Sequence, residues 1–249
     1  METSNDKRIF IKEDAEEKFV AVIDILGFSS KVLGDFEQSL DVFENVISRT
    51  DSITDVIKDV EIRIYSDSYI ITGETFGRVV AATQVILWRT LMEDLLVRGG
   101  IAKGQHIDIA DSKNLYMVSE AVARASAVEK TVKYPCVAIH PDLEIPMEWW
   151  GGAIRNLDRG ILYFGGLVIV NPCGTYWGDS ARYRVTRMLQ ENPTHREKYE
   201  WFLEMHKAIF SPVPMVPPEI FYMMEDRARK EDKGKNTGGG ADMGCGDGE

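Results

Sequence analysis

The stretch Phe19-Val-Ala-Val-Ile-Asp24-Ile-Leu-Gly27-Phe28-Ser29 sets a hard condition on any fold, because an unbroken apolar run ends in a carboxylate and a glycine. A strand with apolar side chains on both faces must be covered on both, as the central strands of layered sheets are. A carboxylate at its end is costly to bury unless a cation or a set of hydrogen-bond donors compensates it. Asp24 therefore reads either as a cap for the helix that follows or as a ligand for a metal ion. Position alone leaves both open.

The chain can build the core that such a strand needs: it has 249 residues, 44% of them hydrophobic. Its formal net charge of -11 argues against a nucleic-acid surface and leaves room only for a local basic pocket. Three cysteines, Cys136, Cys173 and Cys245, have neither disulfide nor metal-ligand spacing, which suits a reducing, cytoplasmic setting. The N-terminus is polar, and no apolar run reaches the roughly 18 residues of a membrane span, so no membrane partner is expected.

In chain order, residues 1–17 read as a charged lead-in and residues 18–211 as one domain. Phe36, Leu40, Phe43 and Ile47 recur at helical spacing and predict one amphipathic helix reaching about Ile57. Val60, Ile62 and Ile64 alternate with Arg63, Tyr65 and Asp67, and Tyr69–Thr72 follows, which predicts a hairpin with Asp67 at its tip. A second helix spans about Thr75–Leu96, and a glycine-punctuated strand runs from Arg98 to Ile109, its glycines permitting the close approach of a ligand or another backbone. A short strand (Leu115–Val118), a small-residue helix (Glu120–Val132) and a core strand (Tyr134–His140) come next. Residues 141–166 read as a loop-rich insertion closed by a strand at Leu167–Asn171, ahead of two helices at about 178–192 and 193–210. Residues 212–232 form a proline-rich connector with a short helix, and 233–249 a disordered tail. The order predicts an α+β sandwich of ferredoxin-like type: a mostly antiparallel sheet with helices on one face, plus C-terminal helices.

In such an arrangement the strands ending in Asp24 and Asp67 are neighbours. Two carboxylates and a backbone carbonyl such as that of Ile25 make a hard oxygen site for Mg²⁺ or Mn²⁺ that keeps positions open for phosphate oxygens. The turn Ile25-Leu26-Gly27-Phe28 leads into a helix whose free N–H groups can face a polyphosphate. No Ser-His-Asp or Cys-His arrangement stands out.

Three segments together, Asp24-Ile-Leu-Gly-Phe-Ser29, Tyr65-Ser-Asp-Ser-Tyr69 and Arg98-Gly-Gly-Ile-Ala-Lys-Gly104, resemble the signature segments of class III nucleotidyl cyclases. The resemblance covers about residues 19–140. It implies a homodimer with active sites at the interface and two divalent ions held by Asp24, Asp67 and the Ile25 carbonyl. It also implies in-line attack of a ribose 3′-hydroxyl on the α-phosphate of a nucleoside triphosphate. Arg124 matches the family's triphosphate-binding arginine on the small-residue helix, while Glu120 stands where an asparagine is usual. Arg63 stands where purine cyclases carry a base-reading lysine, with Tyr65 on the same face.

These departures, with the compact Arg98-Gly-Gly-Ile strand, look closer to the pyrimidine cyclases of bacterial antiphage (Pycsar) systems. That resemblance implies a uridylate cyclase whose cyclic UMP activates a separate effector. An arginine can donate to the acceptor oxygens of uracil, which favours UTP, although cytosine in CTP also offers acceptors. The alternatives are an adenylate or guanylate cyclase with an unusual base pocket and an inactive, nucleotide-binding regulator.

Overall fold

The computed structural model describes residues 12–110, 115–150, 156–172 and 178–237. Its first strand, β1 (Glu16–Ile25), is paired antiparallel on both edges, with β3 (Ser68–Gly73) on one side and β4 (Val97–Ala110) on the other. Val20, Ala21, Ile23 and Ile25 are all at most 1% exposed, so the run apolar on successive residues is covered on both faces. β1 begins at Glu16, two residues inside the stretch read as lead-in.

Around β1 seven of the eight described strands run in the order β2-β3-β1-β4-β6-β8-β7, with β2 at Val60–Tyr65, β6 at Val137–Ile139, β7 at Ile161–Phe164 and β8 at Leu167–Val170. β5 (Leu115–Ser119) pairs with the far half of β4. Only β4 and β6 pair in parallel among the described strands, bridged by β5 and helix α4 (Glu120–Thr131). The mixed α+β class and mostly antiparallel sheet are as the sequence pattern implies. The region expected to be a loop-rich insertion instead carries β7 as a sheet strand, since Ile161 and Leu162 alternate into the two opposite cores.

Helices, expected on one face, line both. α2 (Phe36–Val56) and α3 (Phe76–Met92) cover the face formed by Ala21, Ile23, Ile71 and Ile101. On the other face α4 packs over β4, while α5 (Gly178–Glu191) and α6 (Arg196–Ile209) cover Ala138, Leu162 and Ile169. A Cβ at Gly100 would sit 2.3 Å from the Ala125 carbonyl of α4. The glycine thus admits the backbone of a helix of the same chain, and not that of a partner subunit.

The helix predicted through Ile57 is two helices, α1 (Phe28–Gly34) and α2. Asp35 divides them: its extended backbone ends α1, and its side chain accepts from the Gln38 N–H at 3.0 Å, an N-cap. Starting α2 there turns Ser39, Val46, Thr50 and Ile53 inward and leaves Phe36 and Leu40 outside. At the C-terminus, α7 (Pro218–Thr237) extends into the stretch read as a disordered tail, and residues 238–249 lie outside the described residues. No described helix is long and apolar enough to cross a membrane.

The proline-rich connector is fastened to the sheet. Asn156, 4% exposed, donates through Nδ2 to the carbonyls of Ser211 and Val213 and accepts from the Met215 N–H at 2.9 Å. Tyr163 of β7 donates its N–H to the Met215 carbonyl at 2.9 Å, and Met215 and Val216 are buried. Replacing Asn156 by Ala takes the partner from the Ser211 and Val213 carbonyls and from the N–H of buried Met215. Urea unfolding should show a loss of about 2–3 kcal/mol, the scale of unsatisfied buried polar groups. A loss within about 0.5 kcal/mol, the scale of a surface substitution, would show that the connector is held by its apolar contacts alone.

Candidate metal and nucleotide site

β1 ends at the point where the β2–β3 hairpin turns. Ser66 and Asp67 form its two-residue turn, with Ser66 at φ 54, the positive value that primed hairpin turns require at their first central residue. The Asp67 carbonyl accepts the Ile25 N–H at 2.9 Å, and Asp24 lies opposite Ser68 in the ladder. Register therefore brings the two carboxylates to one corner. Ser29 Oγ donates to Asp67 Oδ2 at 3.3 Å, and Ser68 Oγ to Asp24 Oδ1 at 3.5 Å.

Asp24 is held above the ordinary carboxylate range, first by burial and then by the charge of Asp67. Arg98 works against this, its Nη2 lying 3.6 Å from Asp24 Oδ2 while its Nε meets Glu129 Oε1 of α4 at 2.8 Å. One arginine thus serves two carboxylates with Asp67 close by Asp24, and the corner carries an excess of negative charge. That donor set fits a hard divalent cation. Among the described residues no three His, Cys, Asp or Glu side chains form a cluster able to hold a metal by themselves. Asp24 and Asp67 are the side chains here that could hold a cation, with the Ile25 backbone as a further oxygen donor.

The turn after Asp24 has the conformation only glycine adopts readily: Gly27 sits at φ 75, is exposed, and has nothing within 4 Å of a built Cβ. The Ile25 side chain is in the core, Leu26 packs on the second core, and Phe28 stacks on Phe43 with ring centroids 5.4 Å apart. The side chains of Ile25, Leu26 and Phe28 hold the turn, so any contact with a nucleotide comes from backbone. α1 is a single short helix of 7 residues.

Arg63 and Tyr65 lie on the β2 face opposite α2 and α3. The Arg63 guanidinium is paired with Glu61 and with Asp108, which the β4–β5 arm carries across to it, and its Nη1 is buried without an acceptor. Tyr65 is 47% exposed beside the hairpin turn. Arg124 is elsewhere. It bonds Glu120 Oε1 and lines a cavity with Phe19, Lys103 and His140 at the opposite end of β1. From Phe19 to Asp24 is about 16 Å at ~3.3 Å per residue, so one chain does not unite Arg124 with the two aspartates.

Arg98 and Glu129 were not singled out from sequence. The available signal was register: once Gly99 lies opposite Ile23, Arg98 must stand directly across from Asp24.

No family model matches the chain, and no curated protein matches it. Among solved structures, similarity extends to a bacterial light-regulated adenylyl cyclase (15% identity, TM-score 0.46, covering 70% of this chain and 98% of that one). It extends also to the guanylate cyclase domain of RhGC from Catenaria anguillulae in complex with GTP (18%, 0.44, 50% and 78%). The adenylyl cyclase CyaB from P. aeruginosa is a third (16%, 0.42, 50% and 76%). These are distant likenesses of backbone, and the chemistry below rests on this chain's own residues.

A carboxyl whose folded pKa is raised adds stability that is present below its unfolded pKa and lost as pH rises through the folded one. For the ion-free protein, the melting temperature relative to Asp24→Asn should therefore fall as pH rises from acid through that window. At neutral pH, Mn²⁺ should raise the melting temperature of the wild type and leave an Asp24→Asn/Asp67→Asn variant unmoved. An equal Mn²⁺ shift in both proteins would place the ion elsewhere.

Proposed function

We propose that this chain is a metal-dependent pyrimidine nucleotide cyclase that converts UTP to 3′,5′-cyclic UMP and pyrophosphate as a homodimer. The observation that carries the reading is the convergence of Asp24 and Asp67 in a net-negative corner beside the exposed Gly27 turn. When bound, Mg²⁺ or Mn²⁺, as two ions, supplies the positive charge that lowers the pKa of the 3′-hydroxyl and neutralises the triphosphate. The 3′-oxygen forms a bond to the α-phosphorus, the bond from that phosphorus to the bridging oxygen breaks, pyrophosphate leaves, and the hydroxyl proton passes to water.

The chain's residues orient and neutralise. Asp24 and Asp67 gather the cationic charge, Ser29 and Ser68 fix their carboxylates, and Arg98 restrains Asp24 while leaving its second oxygen to Ser68. Backbone from Ile25 to Phe28 faces the phosphates. Arg124 reaches a triphosphate only across a dimer, since it stands at the far end of β1 in its own chain. Arg63 and Tyr65 are the proposed base contacts, an arginine donor matching the uracil carbonyls once the guanidinium is released from Asp108. The product acts as a second messenger of antiphage defence on a separate effector, in a cytoplasmic setting. CTP is the runner-up substrate, ATP and GTP follow, and the Glu120 carboxylate on Arg124 is what favours an inactive nucleotide-binding regulator.

Purified protein with Mn²⁺ and each of the four nucleoside triphosphates, read by product mass, should give cyclic UMP as the principal product. Asp24→Ala or Asp67→Ala should lower turnover by at least about a thousandfold, the scale of lost electrostatic stabilisation. Mixing Asp24→Ala with Arg124→Ala protein should restore part of the activity, because one composite site of the mixed dimer is then intact. No cyclic product from any nucleotide, with tight nucleotide binding retained, would establish the regulator instead.

Replacing Arg63 by Ala should raise KM for UTP by roughly tenfold to a hundredfold, the scale of a charge-assisted hydrogen bond. A uniform fall in kcat for all four nucleotides would assign Arg63 to anchoring the arm through Asp108 and take it out of the base pocket.

A further inference from the structure

Beside the corner, on the side away from the hairpin, a cleft of about 320 Å³ opens between the Gly27 turn and the α5–α6 pair. One wall carries Lys31 of α1, and the other carries Lys198 of α6 with His195 just before it. Two acids also line the cleft, Asp94 and Glu191. Both are already committed: Asp94 is paired with Arg184 and Arg187, and Arg187 Nε also lies 3.7 Å from Glu191 Oε1. Neither Lys31 nor Lys198 has a carboxylate partner among the described residues. Among the described residues, the cleft is left with two ammonium groups that have no carboxylate partner, one on each wall.

Gly27 belongs both to the turn that follows Asp24 and to the lining of this cleft. An anion held at the corner therefore has a direct way in. Asp94 stands in the tight turn before β4, at φ 54, so its two arginine pairs fasten α5 to the same end of the sheet that carries the aspartates. The C-terminal helices are thereby held as a wall of the site.

We infer that this cleft receives the terminal phosphates of the nucleotide and the pyrophosphate product, with Lys31 and Lys198 pairing the phosphate oxygens from opposite sides. The substrate half of this inference rests on the cyclase reading; the anion-binding half does not. The ligand class follows from charge and size: two lysines with no carboxylate partner among the described residues, in a cleft of this volume, suit a small, multiply charged anion.

The test uses the full chain, inorganic pyrophosphate and a chelator, with binding read by titration calorimetry. Wild-type protein should bind pyrophosphate in a salt-dependent manner. Lys31→Ala and Lys198→Ala should each weaken binding by roughly threefold to tenfold, and their combination further. Lys→Arg at either position should restore affinity, and Lys207→Ala, which removes a charge from α6 outside the cleft, should leave it unchanged. Lys→Gln variants with wild-type melting temperatures serve if the alanine variants fail to fold. No binding by the wild type, or equal affinity in the wild type and a folded double variant, overturns the inference. Turnover with unchanged pyrophosphate inhibition in the double variant overturns the cleft and leaves the cyclase reading standing. Pyrophosphate binding that depends on both lysines, with no turnover of any nucleotide, supports the anion cleft and overturns the cyclase reading.

Discussion

β1 is hydrogen-bonded on both edges and covered on both faces, so a charge can stand on it only where the ladder stops. Everything proposed for the site depends on that condition. Asp24 sits at the last stretch of paired strand, where one neighbour supplies a second carboxylate through the Ser66-Asp67 turn and the other supplies Arg98. The two carboxylates repel, and burial discourages ionisation further. The ion-free fold therefore carries local electrostatic strain at this corner, of a kind that a divalent cation bound there would relieve.

The same corner shows how the outer elements are tied to chemistry. α4 comes close over Gly100 and sends Glu129 to Arg98, so the helix that buries β4 also tunes the arginine beside Asp24. α5 is fastened through Arg184 and Arg187 to Asp94, in the turn that starts β4. The β4–β5 arm delivers Asp108 to Arg63. Asn156 clamps the connector, which the Tyr163 N–H in turn ties to β7 through the Met215 carbonyl. Each is a polar contact made by an element whose main role is packing.

Several features were legible from residue order. The doubly buried β1 followed from apolar residues at successive positions, and the hairpin from a clean alternation that stops at Ser66-Asp67-Ser68. The Asp35 break in the first helix is also written in the chain as Asp35-x-x-Gln38, and starting α2 there keeps Phe43 on the core while Phe36 and Leu40, which share its apolar spacing, face outward. β7 escaped notice because four residues flanked by glycines read as loop until a partner strand is in place.

By itself, the sequence determined that a carboxylate must end a buried strand and that a second must sit at a hairpin tip, because strand periodicity and turn chemistry are local. Only the tertiary structure decided their company. Arg98 reaches Asp24 through pairing of residues far apart in the chain, Arg63 is occupied by an arm that folds back, and Arg124 is carried to the opposite end of β1. Lys31 and Lys198, unremarkable on their own helices, stand on the two walls of one cleft. The physical reason is the same throughout: electrostatic partnership acts through space at a few ångströms, and only the packing of the sheet and its helices fixes which distant charges come that close.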